Sequence, residues 1–170
     1  MKVLFLGDIV GRSGREGLNR NLHKINLNHN IDFTIVNGEN AAGGFGITEK
    51  ICCELYNAGA DVITTGNHLW DQKEISSYIE KDHRLLKPLN SADGTPGVGY
   101  NIYNTDNNEK IIVINLIGNV FMKANDNPFL KIDELMNKLK NENDVKFIFV
   151  DFHAEATSEK VAMGHHLNGR

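Results

Sequence analysis

Six side chains able to bind a metal or move a proton stand at the ends of short apolar runs. Val3–Gly7 leads into Asp8, and Phe33–Asn37 leads through Gly38 into Glu39 and Asn40. Asp61–Thr65 leads through Gly66 into Asn67 and His68, and Lys146–Asp151 leads through Phe152 into His153. In open α/β sheets, sites form just outside the carboxyl ends of the strands. Carboxylate, amide oxygen and imidazole gathered there make a donor set for hard-to-borderline divalent cations. One such residue after a strand is ordinary; four strand ends of this kind in one chain point to a common site.

Each residue also has a plainer reading. Asp8 lies in Gly7-Asp8-Ile9-Val10-Gly11-Arg12-Ser13-Gly14, where a dinucleotide-binding turn competes. The spacing is G-x-x-x-G-x-x-G rather than G-x-G-x-x-G, and an aspartate there would repel a pyrophosphate unless a cation neutralised it. Asp8 therefore reads as a ligand. Glu39 and Asn40 alone would be a polar turn; beside other donors, Glu39 can bridge two cations and Asn40 can add a neutral oxygen. Gly66-Asn67-His68 is the most specific local signal, with Asn67 offering its carbonyl oxygen to a metal and His68 facing the substrate. Its competitor is a helix-capping Asn beside a surface His, which is weakened because Asp71 is itself a good cap. A lone His153 would be structural. At a fourth strand end it reads as a ligand, with Glu155 either its hydrogen-bonding partner or a solvated acid. Arg12 meets a substrate phosphate or only solvates its loop, and Gly43-Gly44-Phe45-Gly46 is either a flap or a turn. His23, His29 and His83 read as surface residues.

The elements that must position these residues follow from periodicity. Ser13 to Asn28 reads as a helix capped by Ser13, with Leu18, Leu22 and Ile25 on one face. Thr48 caps a second helix carrying Ile51, Leu55 and Ala58 inside. Asp71 to about Glu80 reads as a third, starting at an acidic cap. Tyr100–Tyr103 and Lys110–Ile117 form an antiparallel hairpin across the polar turn 104–108. Ile132–Lys140 and Thr157–Gly164 are helical, with Phe147–Val150 a strand between them. Strands alternating with helices predict a mainly parallel sheet covered on both faces, with right-handed crossovers.

The 170 residues suffice for one domain with a substantial core, and 41% are hydrophobic. A formal net charge of -4 gives no bulk attraction to nucleic acid, though a local cation could still hold a small phosphate ester. The two cysteines, Cys52 and Cys53, are adjacent and give no disulfide framework, which fits a reducing compartment. No run has signal-peptide or membrane-spanning character. The expectation is a cytoplasmic protein without a membrane partner.

Four motifs then carry a resemblance. G-D-I-V-G-R-S-G, N-G-E-N-A-A-G-G, G-N-H-L-W-D and D-F-H-A-E-A-T-S-E-K occur in order along the chain. Together they resemble the YmdB family of bacterial calcineurin-like metallophosphoesterases. Where the wider superfamily has Asp-x-His at the first strand, this chain has Val10, and Glu39 replaces the usual bridging Asp. The resemblance implies an α/β fold of the αββα sandwich type, with residues 1–170 forming a single domain. It implies a two-metal phosphodiesterase acting on cyclic nucleotides or related small phosphodiesters. Asp8 and Asn40 would bind one metal, Asn67 and His153 the other, with Glu39 bridging and His68 donating a proton. Iron is the first expectation, with manganese, zinc or magnesium as alternatives. A homo-oligomer is compatible with it.

The family pattern continues with another strand and a Gly-Thr-His-Thr-His segment that has no counterpart here. The expectations are a domain incomplete at its C-terminus, an exposed sheet edge, and impaired activity in the 170-residue chain. Two other readings compete: an inactive metal-binding paralogue, and a metal-free nucleotide-binding regulatory module. The last would leave Asn67, His68 and His153 idle.

Overall fold

Residues Phe33–Asn37 are buried throughout, so their sheet must be covered on both faces. The computed structural model, which describes residues 1–105, 107–123, 125–140 and 145–170, supplies that cover in two ways. Strands β1 (Val3–Leu6), β2 (Phe33–Asn37) and β3 (Val62–Thr64) form one parallel sheet in that order. Strands β4 (Tyr100–Asn104), β5 (Lys110–Ile117) and β6 (Val145–His153) form a second. In it, β4 pairs antiparallel and β6 parallel with β5. Among the described residues, the mainly parallel sheet read from periodicity is thus corrected to two sheets of three strands, the αββα layering that the family resemblance implied. Asp106, within the expected hairpin turn, lies outside the described residues.

The side chains of β5 explain the layering. Ile111 and Val113 pack with Phe33, Ile35 and Val62 of the first sheet. Ile112, Ile114 and Leu116 point the other way, toward Ile132 and Leu135 of α4 (Pro128–Leu139) and Met163 of α5 (Thr157–Leu167). The far face of the first sheet, through Val36 and Ile63, packs on Leu18 and Leu22 of α1 (Gly11–His29) and Ile51 and Leu55 of α2 (Glu49–Ala58). Helices, sheet, sheet, helices is the order of layers, a mixed α/β sandwich. Period-2 alternation in β5 serves two cores at once, which is why no solvent-facing side interrupts its apolar run.

Local chemistry sets the helix ends. The Thr48 hydroxyl accepts from Ile51 N at 3.3 Å, as its position predicts. Ser13 does not cap α1, which begins earlier, after Val10, and lacks a side-chain cap. Helix α4 also begins earlier than expected, because Asn127 accepts from Phe129 N at 2.9 Å and Pro128 suits the first helical position. The expected helix over Asp71 to Glu80 is a 3₁₀ turn at Leu69–Asp71 followed by the short α3 (Ile75–Ile79). Asp71 caps nothing there, since its carboxylate is taken by His68. His23, His29 and His83 are exposed, as read from the sequence. No described helix is long and apolar enough to cross a membrane.

Asn115 stitches the sheets together. It is fully buried, and its Nδ2 donates to Thr65 O at 2.9 Å and Leu86 O at 3.1 Å. Replacing it by Leu removes the donor and strands the Thr65 carbonyl, while Leu86 O keeps the Thr65 hydroxyl at 2.7 Å, so we expect a loss of about 1–3 kcal/mol. Chemical denaturation measures this, with the exposed Leu130→Ala as a control expected within about 0.5 kcal/mol of wild type.

Candidate metal centre

Parallel strands end together, and loop hydrogen bonds draw their exits into one place. Ile9 N donates to Asn37 O and Gly11 N to Asn40 O, each at 2.9 Å, joining the β1 and β2 exits. Gly38 N donates to Thr64 O at 2.9 Å, joining β2 to β3. The second sheet arrives through Asn37, whose Nδ2 donates to Asp151 Oδ2 of β6 at 3.0 Å. The Asn37 Oδ1 accepts from Glu39 N at 3.3 Å, so one side chain aligns the β2 exit with β6.

The expected donors meet around Glu39. Its carboxyl is buried, 2% exposed, and Oε1 lies 3.3 Å from His153 Nδ1 and 3.2 Å from Asn40 Nδ2. Asn40 Nδ2 also donates to Asp8 Oδ1 at 2.8 Å. Asp8 itself sits at φ 36°, a left-handed conformation that is unfavourable for a residue with a Cβ and that recurs at functional sites. Gly66 lies directly beneath, and a Cβ there would collide with Glu39 Oε2 and come within 2.8 Å of His153 Cγ. Only glycine allows the β3 exit this close to both ligands.

Burial governs the charges. Desolvation pushes the Glu39 carboxyl up to about 7, and the carboxylates of Asp8 and Asp151 push the same way, against His68 and the Asn40 hydrogen bond. Burial lowers the His153 imidazole, with Asp151, Glu155 and Asp8 opposing it. Desolvation disfavours the charged form of both partners, so their contact is a hydrogen bond more than an ion pair. Three buried atoms here lack any partner: Glu39 Oε2, Asn40 Oδ1 and His153 Nε2. With the His153 Nδ1–H directed at Glu39, Asn40 Oδ1 and His153 Nε2 are acceptors, and Glu39 Oε2 becomes one once the carboxyl is deprotonated, a set that a cation satisfies. Among the described residues, however, no three His, Cys, Asp or Glu side chains gather closely enough to hold an ion by themselves. Any cage here draws on the amide oxygens.

The remaining candidates are placed differently. His68 Nδ1 lies 2.7 Å from Asp71 Oδ2, and its ring meets Phe45 edge-on with centroids 5.0 Å apart. Nδ1 is engaged by the acid, which directs Nε2 elsewhere. The Gly43–Gly46 segment is a pinned turn, with Ala42 N donating to Gly46 O at 2.8 Å and Gln72 Nε2 to Phe45 O at 2.9 Å. Asn67 lines a cavity of about 520 Å³. Arg12 is not drawn into the cluster: it is exposed and pairs with Glu16 at 2.7 Å on the α1 surface. Glu155 is exposed, and the His153 Nδ1 contact goes to Glu39 instead. His166 pairs with Asp133 of α4 at 2.8 Å, a helix–helix contact. Sequence reasoning missed Asn37 and Asp151, although a polar residue closing the wholly buried run Phe33–Asn37 was a signal.

Residues 4–170 match the model of the YmdB-like protein family. The chain belongs to that family. A 2',3'-cyclic-nucleotide 2'-phosphodiesterase of Bacillus subtilis (strain 168) is 47% identical over all 170 residues, which cover 63% of its own length. The solved structure of a hypothetical protein from Thermus thermophilus superposes with a TM-score of 0.91 at 36% identity. It is covered to 64% of its length by the whole of this chain. A novel phosphatase from Mycoplasma pneumoniae gives a TM-score of 0.90 at 35% identity, over 99% of this chain and 60% of that one. The chain therefore spans somewhat less than two thirds of the length of these relatives.

The Glu39 titration has a measurable sign. A folded value near 7 against an ordinary 4.5 means the folded chain holds this proton more tightly than the unfolded one. Stability from this group is complete below about pH 4.5 and is lost as pH rises through about 7. In chelator-treated protein we expect wild type to lose up to about 3 kcal/mol across that window relative to Glu39→Gln. Urea midpoints read between about pH 4 and 8 check it; parallel curves for the two proteins would contradict it.

Proposed function

We propose that this chain carries the metal-binding half-site of a phosphodiesterase acting on small cyclic nucleotides. The observation that carries the reading is the trio of buried, unpartnered acceptors on Glu39, Asn40 and His153. Free acceptors in a buried site call for a cation, and the chain that holds them is 47% identical to a relative named for cyclic-nucleotide hydrolysis. Asp8 and Asn40 would hold one divalent ion and Asn67 and His153 a second, with Glu39 reaching both. Soft thiolates take no part, which suits iron or manganese as well as zinc or magnesium. Bound ions would supply positive charge to the phosphoryl oxygens and lower the pKa of a nearby water.

The chain's own residues do the rest. Glu39, held by Asn37 through its backbone N–H, would give up its proton on holding a cation. Gly66 keeps the β3 exit clear of Glu39 and His153. His68 donates a proton from Nε2 to the departing alkoxide oxygen, so that no free alkoxide is released. Asp71, on Nδ1, fixes which ring nitrogen does this and stabilises the protonated ring. Phe45 packs on the His68 ring and limits its rotation. The 170 residues offer each ion three donors with Glu39 shared, so we expect weak metal retention and slow turnover from them alone.

Two substitutions separate these roles. His68→Ala should lower turnover by about 10²–10⁴-fold and leave metal content unchanged. Glu39→Gln should lower metal content itself, by more than the roughly 10–100-fold affinity effect of an outer partner. Elemental analysis beside hydrolysis of a 2',3'-cyclic nucleotide, with added Mn²⁺ or Fe²⁺, tests both. Wild-type metal content in Glu39→Gln, or hydrolysis indifferent to chelator, would overturn the assignment.

A further inference from the structure

The cavity beside Asn67 has a wall that none of the chemistry above uses. It holds about 520 Å³ and is lined by Asn67, Glu155 and Ala156 together with Phe121, Met122 and Lys123. That volume suits a small-molecule ligand. Phe121 is 89% exposed, the most exposed large apolar side chain among the described residues, and its backbone lies at φ 63°. Both features are unfavourable: a phenyl ring is left in water, and a residue with a Cβ takes a left-handed conformation.

The loop base shows that this is a built feature. Glu159, buried at 8% exposure, accepts Asn119 N at 2.9 Å on one oxygen and Val120 N at 3.2 Å on the other. Asn90 accepts from Ile117 N at 3.0 Å and donates to Asp126 O at 2.8 Å, clamping both ends of the loop. Met122 N returns to Asn119 O at 3.2 Å. A braced base therefore carries an aromatic ring outward at the cavity mouth. The same cavity reaches Asn67, adjacent to His68.

We propose that Phe121 is a specificity residue whose ring stacks on the planar base of a nucleotide substrate. The proposal rests on the phosphodiesterase reading and adds to it the part of the substrate remote from phosphorus. The phosphate end lies toward Asn67 and the base end toward Phe121 and Met122, whose thioether also packs well on a π face. Glu155, which lines the same cavity, accepts from a ribose hydroxyl or an exocyclic amine. Stacking tolerates every base because each has a π face. The preference expected is graded, purines above pyrimidines, with no single base required.

The test compares adenosine 2',3'-cyclic phosphate with ribose 2',3'-cyclic phosphate, which lacks the base, and measures 3'-AMP binding by calorimetry. Phe121→Ala should reduce the ratio of kcat/KM for the nucleotide over the base-free ester about ten-fold and weaken 3'-AMP by a similar factor. Phe121→Trp should preserve both, and its added fluorescence should be quenched by 3'-AMP. An unchanged ratio with unchanged 3'-AMP affinity overturns the proposal, as does a shift in oligomeric state with no change in affinity. If 3'-AMP binding depends on Phe121 yet neither ester is hydrolysed with added Mn²⁺ and Mn²⁺ itself does not bind, the phosphodiesterase reading fails and the base platform stands.

Discussion

Burying the Glu39 carboxyl beside Asp8 and Asp151 is unfavourable, and the strand ends around it are arranged to keep it there. The β2 exit must turn inward at Gly38, because Glu39 N is held by Asn37 and Gly38 N by Thr64. The β3 exit must carry a glycine at 66, because any side chain would displace Glu39 and His153. The β1 exit must adopt the left-handed backbone of Asp8 to bring its carboxylate to Asn40. Gly38 also lets Ile47 and Ile63 pack close, but the glycine at 66 and the backbone of Asp8 serve no apolar contact. Each becomes intelligible if the space between the carboxyl, the amide and the imidazole is meant for a cation.

The two sheets divide the work. The first supplies the acids and amides from three parallel strands, and its helices α1 and α2 seal the far face. The second supplies His153 and braces it: Gly118 N donates to His153 O at 2.8 Å, tying the end of β6 to that of β5. Asn37 and Asp151 bridge the sheets at the rim, and Asn115 bridges them deeper in the core. A change in sheet–sheet packing therefore alters the Glu39–His153 separation directly. Stability and site geometry are coupled through a few buried amides rather than through the apolar layer alone.

Convergence at the strand ends was legible in the sequence because parallel strands with short exits leave little freedom. Asp8, Glu39, Asn40 and His153 do meet, and Thr48 caps its helix because that bond is local. What was not legible depends on distant partners. The second sheet was hidden from periodicity, and only the family resemblance implied it, because β5 is apolar on both faces whether it lies in one large sheet or between two cores. Asp71 has the chemistry of a helix cap, and only its 2.7 Å contact reveals that His68 claims it. The link between Asn37 and Asp151 spans 114 residues and left no trace in spacing.

We propose that a divalent cation displaces the proton that burial favours on Glu39. Calorimetric titration of Mn²⁺ into metal-free protein, repeated in buffers of different ionisation enthalpy, counts the protons released on binding. With the carboxyl at about 7, wild type should release close to one proton near pH 6 and far less above about pH 8. Glu39→Gln should release none from this position and bind more weakly. Binding of Mn²⁺ with no pH-dependent proton release, or release that survives in Glu39→Gln, would contradict the account.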